Sequence, residues 1–112
     1  MEGSYYRGIP TVLVHGDVGD LEGIALRDFV LAVAFGSVQG VIVDFVDVNY
    51  ADANSLYDLA GLAQTLQSTG QDMAVVCRND NVLRLFALSG QGARLTVFDD
   101  LDSAAEYLWD VR

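Results

Sequence analysis

Apolar residues fall along this chain in two rhythms. Four short runs, Thr11–His15, Val41–Phe45, Met73–Cys77 and Leu95–Phe98, are nearly unbroken and rich in β-branched types. Runs of this kind suit strands covered on both faces, as in a parallel sheet. Between them, apolar residues recur every three or four positions, the spacing of a helix with a buried stripe.

The first such stretch predicts a helix from about Leu21 to Phe35. Leu21, Ala25, Asp28 and Ala32 share one side, and Ile24, Leu26, Phe29, Val30 and Val33 widen the apolar face. Asp17 or Asp20 is placed to cap it. The second helix runs from about Asn54 to Ser68 on a stripe of Leu56, Leu59, Ala60, Ala63 and Leu66, and Gly70 ends it in the position glycine favours. Asn79 or Asp80 caps a third helix carrying Val82, Leu85, Phe86 and Leu88, closed by Gly90. Acidic residues from Asp99 to Asp102 offer caps for a fourth, with Ala104, Ala105, Leu108 and Trp109. Phe35 and Trp109 read as packing residues at helix ends. A weaker strand through Tyr5 and Tyr6 precedes all of these, with Gly8 and Pro10 marking the turn.

The resulting order is strand, strand, then helix and strand in alternation, ending on a helix. It predicts an α/β layer with a mostly parallel sheet of four to five strands and about four helices. Each parallel crossover should be right-handed. No repeat, low-complexity tract or linker interrupts residues 1–112, so one domain is expected, with its core at about 11–109.

Charge narrows the range of partners. Sixteen acidic residues against six arginines, with no lysine, give a formal net charge of −10. Such a surface repels nucleic-acid phosphates and anionic lipid heads, while a basic protein would be steered toward it. No apolar run approaches the roughly 18 residues that span a bilayer, and the N-terminus lacks the order of a secretory signal. The expectation is a cytoplasmic protein that binds neither nucleic acid nor membrane.

The most informative stretch is Val41–Leu56. It reads as a buried strand ending near Asp47, an acidic turn, and a helix start. It resembles the central signature of STAS domains, the family of bacterial anti-sigma factor antagonists. In that family the turn is typically Asp-Ser-Ser-Gly-Leu, and its second serine receives a phosphate. Here the five positions hold Asp52, Ala53, Asn54, Ser55 and Leu56. Val12–Leu21 is similar to the family's opening strand and turn, Asn81–Gly90 to its third helix, and Thr96–Ala104 to its last strand and helix start.

The resemblance implies a regulatory protein-binding module with no catalytic activity and no cofactor. It implies partner switching: the unphosphorylated domain binds an anti-sigma factor that is also a serine kinase, and phosphorylation releases it. STAS-like domains also serve as scaffolds or accessory subunits of signalling and transport assemblies.

The residues of the turn carry their own chemistry. An amide has no hydroxyl, so Asn54 is no ordinary phosphoacceptor, and it is neutral like the unphosphorylated state. Ser55 has a hydroxyl about 100° further around the helix, and is the candidate for any shifted phosphorylation. Asp52 suits a helix N-cap as well as a partner contact. Tyr50 is either an interface anchor or a core-facing ring. Tyr57 and Asp58 lie opposite the leucine stripe. Together with Ala53 these form the candidate partner-binding set: Tyr50, Asp52, Ala53, Asn54, Ser55, Tyr57 and Asp58. Asp47 and Asn49 read as turn residues that satisfy the backbone.

Other chemistry is sparse. Cys77, the single cysteine, reads as a buried strand-end thiol. His15, the single histidine, has no second histidine or cysteine to complete a metal site. A competing reading is a small magnesium-dependent enzyme using Asp44, Asp47 and Asp52 at one strand end.

Overall fold

The computed structural model describes residues 1–37, 39–88 and 95–110. Among them the chain forms β1 (Glu2–Tyr6), β2 (Ile9–Val18), α1 (Asp20–Ala34), β3 (Gly40–Ala51), α2 (Ala53–Ser68), β4 (Asp72–Val76), α3 (Asp80–Leu88), β5 (Thr96–Phe98) and α4 (Leu101–Asp110). This is the alternation read from the hydrophobic pattern. The five strands lie side by side in chain order, β1-β2-β3-β4-β5. β1 is antiparallel to β2, and the other pairings are parallel.

That order has a consequence for layering. Three successive parallel crossovers of one hand, always stepping the same way across a sheet, put all their helices on one face. The core is divided accordingly. One cluster joins alternate strand residues such as Val12, Val43 and Val75 to Leu26, Val30, Leu56, Leu59, Val82 and Phe86 of α1, α2 and α3. The other joins Ile9, Ile42, Ala74 and Val76 to Ala104, Ala105 and Leu108 of α4, which covers the opposite face alone. The Tyr6 hydroxyl donates to the Asp102 carboxylate and ties β1 to α4.

Several boundaries differ from the sequence reading, each for a tertiary reason. Pro10 lies inside β2 opposite Tyr5, and the turn is made by Arg7 and Gly8 instead. β3 does not end near Asp47 but continues to Ala51, because β2 also extends and pairs with it as far as Val18↔Ala51. Two register shifts fall in this extension, each adding one residue to β3. At the first, the Asp44 carboxylate accepts the Val46 backbone N–H at 2.9 Å, standing in for an interrupted ladder. This explains an aspartate in an otherwise apolar run.

The α1 cap also differs. It is Gly19, not Asp17 or Asp20, and the Glu22 side chain reaches back to the Gly19 N–H at 3.2 Å. Leu26, Val30 and Ala34 form the buried side of α1, with Phe29 and Val33 packed partly against the core. Leu21, Ile24, Ala25 and Ala32 face outward. Phe35 is not a packing residue: it is 91% exposed. Trp109 is partly exposed, and its indole N–H donates to the Arg7 carbonyl at 3.2 Å.

The expected end of α2 is present in detail. Gly70 takes a left-handed φ of 81°. Its N–H reaches the Gln67 carbonyl and the Gln71 N–H reaches that of Leu66, a Schellman closure. Asn79, rather than Asp80, caps α3 by accepting the N–H groups of Asn81 and Val82. The proposed closure of α3 at Gly90 lies outside the described residues. Cys77 is buried, and burial raises its thiol above the usual range, as a packed apolar group requires.

Candidate functional site

The extension of β2 and β3 carries both strands past the body of the sheet, so that α1 and α2 start side by side at its carboxyl end. The junction into α2 is a single residue. Asp52 donates its backbone N–H to Val18 at 3.0 Å, the last rung of the ladder, and its carbonyl accepts the Leu56 N–H at 3.2 Å, the first rung of the helix. Its carboxylate accepts the Ser55 N–H at 2.9 Å. Asp52 is therefore the N-cap of α2, with Ala53, Asn54 and Ser55 as the first three helical positions.

The first turn has an outer and an inner side. Ala53 and Asn54 face solvent, as do Tyr57 and Asp58 one turn on. Tyr57 is 60% exposed and Tyr50, at the end of β3, is 51% exposed. The ring of Tyr50 is thus on the surface rather than in the core. These five side chains, with the half-buried Asp52, form one continuous stretch along the strand end and the helix start.

Ser55 is on the inner side and only 4% exposed. Its hydroxyl donates to the Gly19 carbonyl at 2.9 Å, and that carbonyl also accepts the Gly23 N–H at 2.8 Å within α1. Contact between the helices is close enough to exclude a side chain at residue 23: a β-carbon there would lie 2.7 Å from the Ser55 oxygen. Gly23 and Ser55 therefore fit together as a small-residue crossing that locks the two helix starts. The signal in the sequence was Gly23 itself. Glycine inside a helical pattern costs roughly 1 kcal/mol against alanine, so its presence asks for a packing reason.

The three carboxylates proposed for magnesium are not all brought together: Asp44 and Asp47 line one cleft, and Asp52 is not part of it. Asp44 is occupied with the Val46 amide, Asp52 caps α2, and Asp47 lies beside the only histidine, 3.4 Å from His15 Nδ1. Both members of that last pair are well exposed, so it contributes little. Among the described residues, no three His, Cys, Asp or Glu side chains are grouped to hold a metal ion. Nor is any helix among them long and apolar enough to cross a membrane. Asn49 is an exposed strand residue rather than part of a turn.

A capped helix start at the carboxyl end of a parallel sheet is the feature read from Val41–Leu56, and comparison with known families agrees. The STAS domain family matches residues 19–104. The chain belongs to the STAS domain family.

Solved structures extend the likeness to the whole STAS fold. An anti-sigma factor antagonist from Mycobacterium paratuberculosis superposes with a TM-score of 0.84 at 22% identity, over 96% of this chain and 92% of that one. A Thermotoga maritima protein, itself described only as a candidate anti-sigma factor antagonist, gives 0.83 at 16% identity, over 96% and 93%. A murine anion transporter of the solute carrier 26 family gives 0.78 at 18% identity, over 96% of this STAS domain but 18% of the transporter. At these identities the structures establish a shared fold. No curated protein matches the sequence.

Proposed function

We propose that this STAS domain is a cytoplasmic, non-catalytic antagonist that binds an anti-sigma factor of the serine-kinase type. Its docking surface is the strand end and first turns of α2: Tyr50, Asp52, Ala53, Asn54, Tyr57 and Asp58. The observation that carries this reading is the placement of Asn54. It stands in the family's phosphoacceptor position, faces solvent in the first helical turn, and bears an amide in place of a hydroxyl. A phosphate at that position would add about −1.5 to −2 charges to a surface that is already acidic. Asn54 instead holds the neutral, binding-competent state permanently.

The position of Ser55 supports the same reading. Its hydroxyl is engaged with Gly19 in the α1–α2 crossing. A kinase needs that oxygen free and in line with its γ-phosphate, which would require the two helix starts to separate. Partner switching on this chain therefore runs without phosphorylation of Ser55.

The test is binding to a candidate anti-sigma kinase by calorimetry, with and without ATP, followed by mass spectrometry. The wild-type chain should bind equally under both conditions and carry no phosphate. Asn54→Ser should become phosphorylated and then release the kinase. Failure to bind any such kinase removes the reading, and a phosphate on Ser55 removes the unswitched part of it.

The likeness to the transporter's STAS region supports a second reading, an accessory module of a transport or signalling assembly. Recovery of this chain with a membrane transporter rather than a kinase, in a crosslinked native preparation, would favour it.

A further inference from the structure

A neutral residue 54 lasts only as long as its amide survives in water. Asparagine is among the chemically labile side chains. Its amide is lost when the backbone nitrogen of the next residue attacks the side-chain carbonyl carbon, Cγ. The rate depends on how bulky that next residue is and on how freely its nitrogen can move.

The asparagines of this chain are followed by Tyr50, Ser55, Asp80 and Val82. Serine is the smallest of these, so Asn54 has the least crowded path for attack. Asn54 also faces solvent. Asn79, by contrast, holds its side-chain oxygen against the N–H groups of Asn81 and Val82 at 2.9 and 3.1 Å. Local sequence thus makes Asn54 the most labile asparagine.

The fold opposes that lability at the attacking atom. The nucleophile is the Ser55 nitrogen, and its N–H is the one that the Asp52 carboxylate accepts at 2.9 Å. Attack requires the nitrogen to lose its proton, which a charged acceptor holds in place. The peptide at residue 55 must also turn to bring the nitrogen onto Cγ. It is held by the cap on one side and, on the other, by the Ser55 hydroxyl, which donates to the Gly19 carbonyl at 2.9 Å.

We propose that Asn54 is the deamidation site of this chain and that the Asp52 cap, through the Ser55 N–H, sets its rate. The reaction runs from conformers in which the first turn of α2 has frayed. There the Ser55 nitrogen gives its proton to hydroxide and bonds to Asn54 Cγ. The bond from Cγ to the side-chain nitrogen breaks, and ammonia leaves. Water then opens one of the C–N bonds of the resulting cyclic imide, giving aspartate or isoaspartate. The net change is one water taken up and one ammonia released, with no change of oxidation state.

The product puts a carboxylate where the family carries its phosphate. The positive end of α2 favours an aspartate there, so the altered chain keeps its helix start. Asp52 therefore protects the neutral docking surface as well as ending the strand. This consequence for binding rests on the docking reading of residue 54, and the chemistry does not.

Incubation of the full chain in heavy-oxygen water at mildly alkaline pH, with peptide mapping by mass spectrometry, tests it. Each event replaces the side-chain nitrogen with a solvent oxygen. In guanidinium, Asn54 should react first among the asparagines, and in the folded chain it should react more slowly than in guanidinium. Asp52→Ala, with folding checked by circular dichroism, should speed the folded reaction about fivefold, the population factor of losing one N-cap. Asp52→Ser keeps a capping oxygen and should stay close to wild type. Another asparagine reacting first in guanidinium overturns the site. A folded rate equal to the unfolded one, equal rates for wild type and Asp52→Ala, or equal rates for Asp52→Ser and Asp52→Ala overturn the role of the cap. Failure of every kinase to bind, with these rates as expected, overturns the docking reading alone.

Discussion

Two helix starts in this molecule share one local design. Asp52 caps α2 and Asp100 caps α4, and in each case the carboxylate accepts the backbone N–H of a serine three residues on, Ser55 at 2.9 Å and Ser103 at 2.7 Å. The resemblance ends there. Ser103 is exposed and its hydroxyl bonds back to Asp100, whereas Ser55 is buried and donates across to Gly19 of another helix. Four residues of sequence determine the cap. What lies beside the helix determines the role of the serine, because α4 lies alone on its face of the sheet and α2 lies against α1.

A charge distinguishes the two serines most sharply. Ser55→Asp puts an unpaired carboxylate into the α1–α2 crossing and should cost about 3 kcal/mol or more in a urea titration. Ser103→Asp, facing water at a helix N-terminus, should stay within about 0.5 kcal/mol of wild type. Equal effects would mean that the α1–α2 crossing is not closed in solution.

The next largest effect comes from the other side of the crossing. Gly23→Val places side-chain atoms where the Ser55 oxygen stands, and should cost about 2 to 3 kcal/mol by overpacking. Combining it with Ser55→Gly should recover part of that loss, since the two changes share a contact. Strict additivity of the pair would break the assignment of Gly23 to this contact.

Removing the α2 cap is a smaller perturbation. Asp52→Ala should destabilise by about 1 kcal/mol, the usual worth of an N-cap. It should also weaken partner binding if the α2 start is the docking surface, whereas Asp100→Ala should leave binding unchanged. Denaturation and calorimetry on the same two variants separate these roles.

The smallest effect is a pH dependence at the exposed cap. The Ser103 backbone N–H, and then its hydroxyl, hold the Asp100 carboxyl below the usual aspartate range. The folded state thus binds its proton less readily than the unfolded chain does. Its stabilisation is complete above the usual aspartate range and is lost as pH falls through the lowered value. Wild type should melt slightly above Asp100→Asn at neutral pH, and the gap should close as the solution is acidified. A gap that widens in acid would contradict the hydrogen bonding described.

Much of the fold was legible because it rests on local pattern. The β-branched runs identified the strands, the leucine stripe of α2 identified its buried side, and Gly70 its end. The N-cap role of Asp52 was legible for the same reason, since a cap needs only the next three residues. Where β3 ends was not legible, because its last residues are strand only through pairing with the extension of β2. The two sides of α1 could not be separated either, since both are apolar and only the sheet distinguishes them.

The turn from Tyr50 to Asp58 divides along the same line. Sequence alone determined that a capped helix starts after Asp52, that residue 54 carries an amide where a hydroxyl is usual, and that residue 55 points elsewhere, because cap chemistry and helical pitch act over a single turn. Only the tertiary structure decided that this other direction is inward. Nothing local to Ser55 specifies the Gly19 carbonyl 36 residues earlier. That contact exists because parallel crossovers of one hand set α1 and α2 on the same face, with Gly23 leaving room between them.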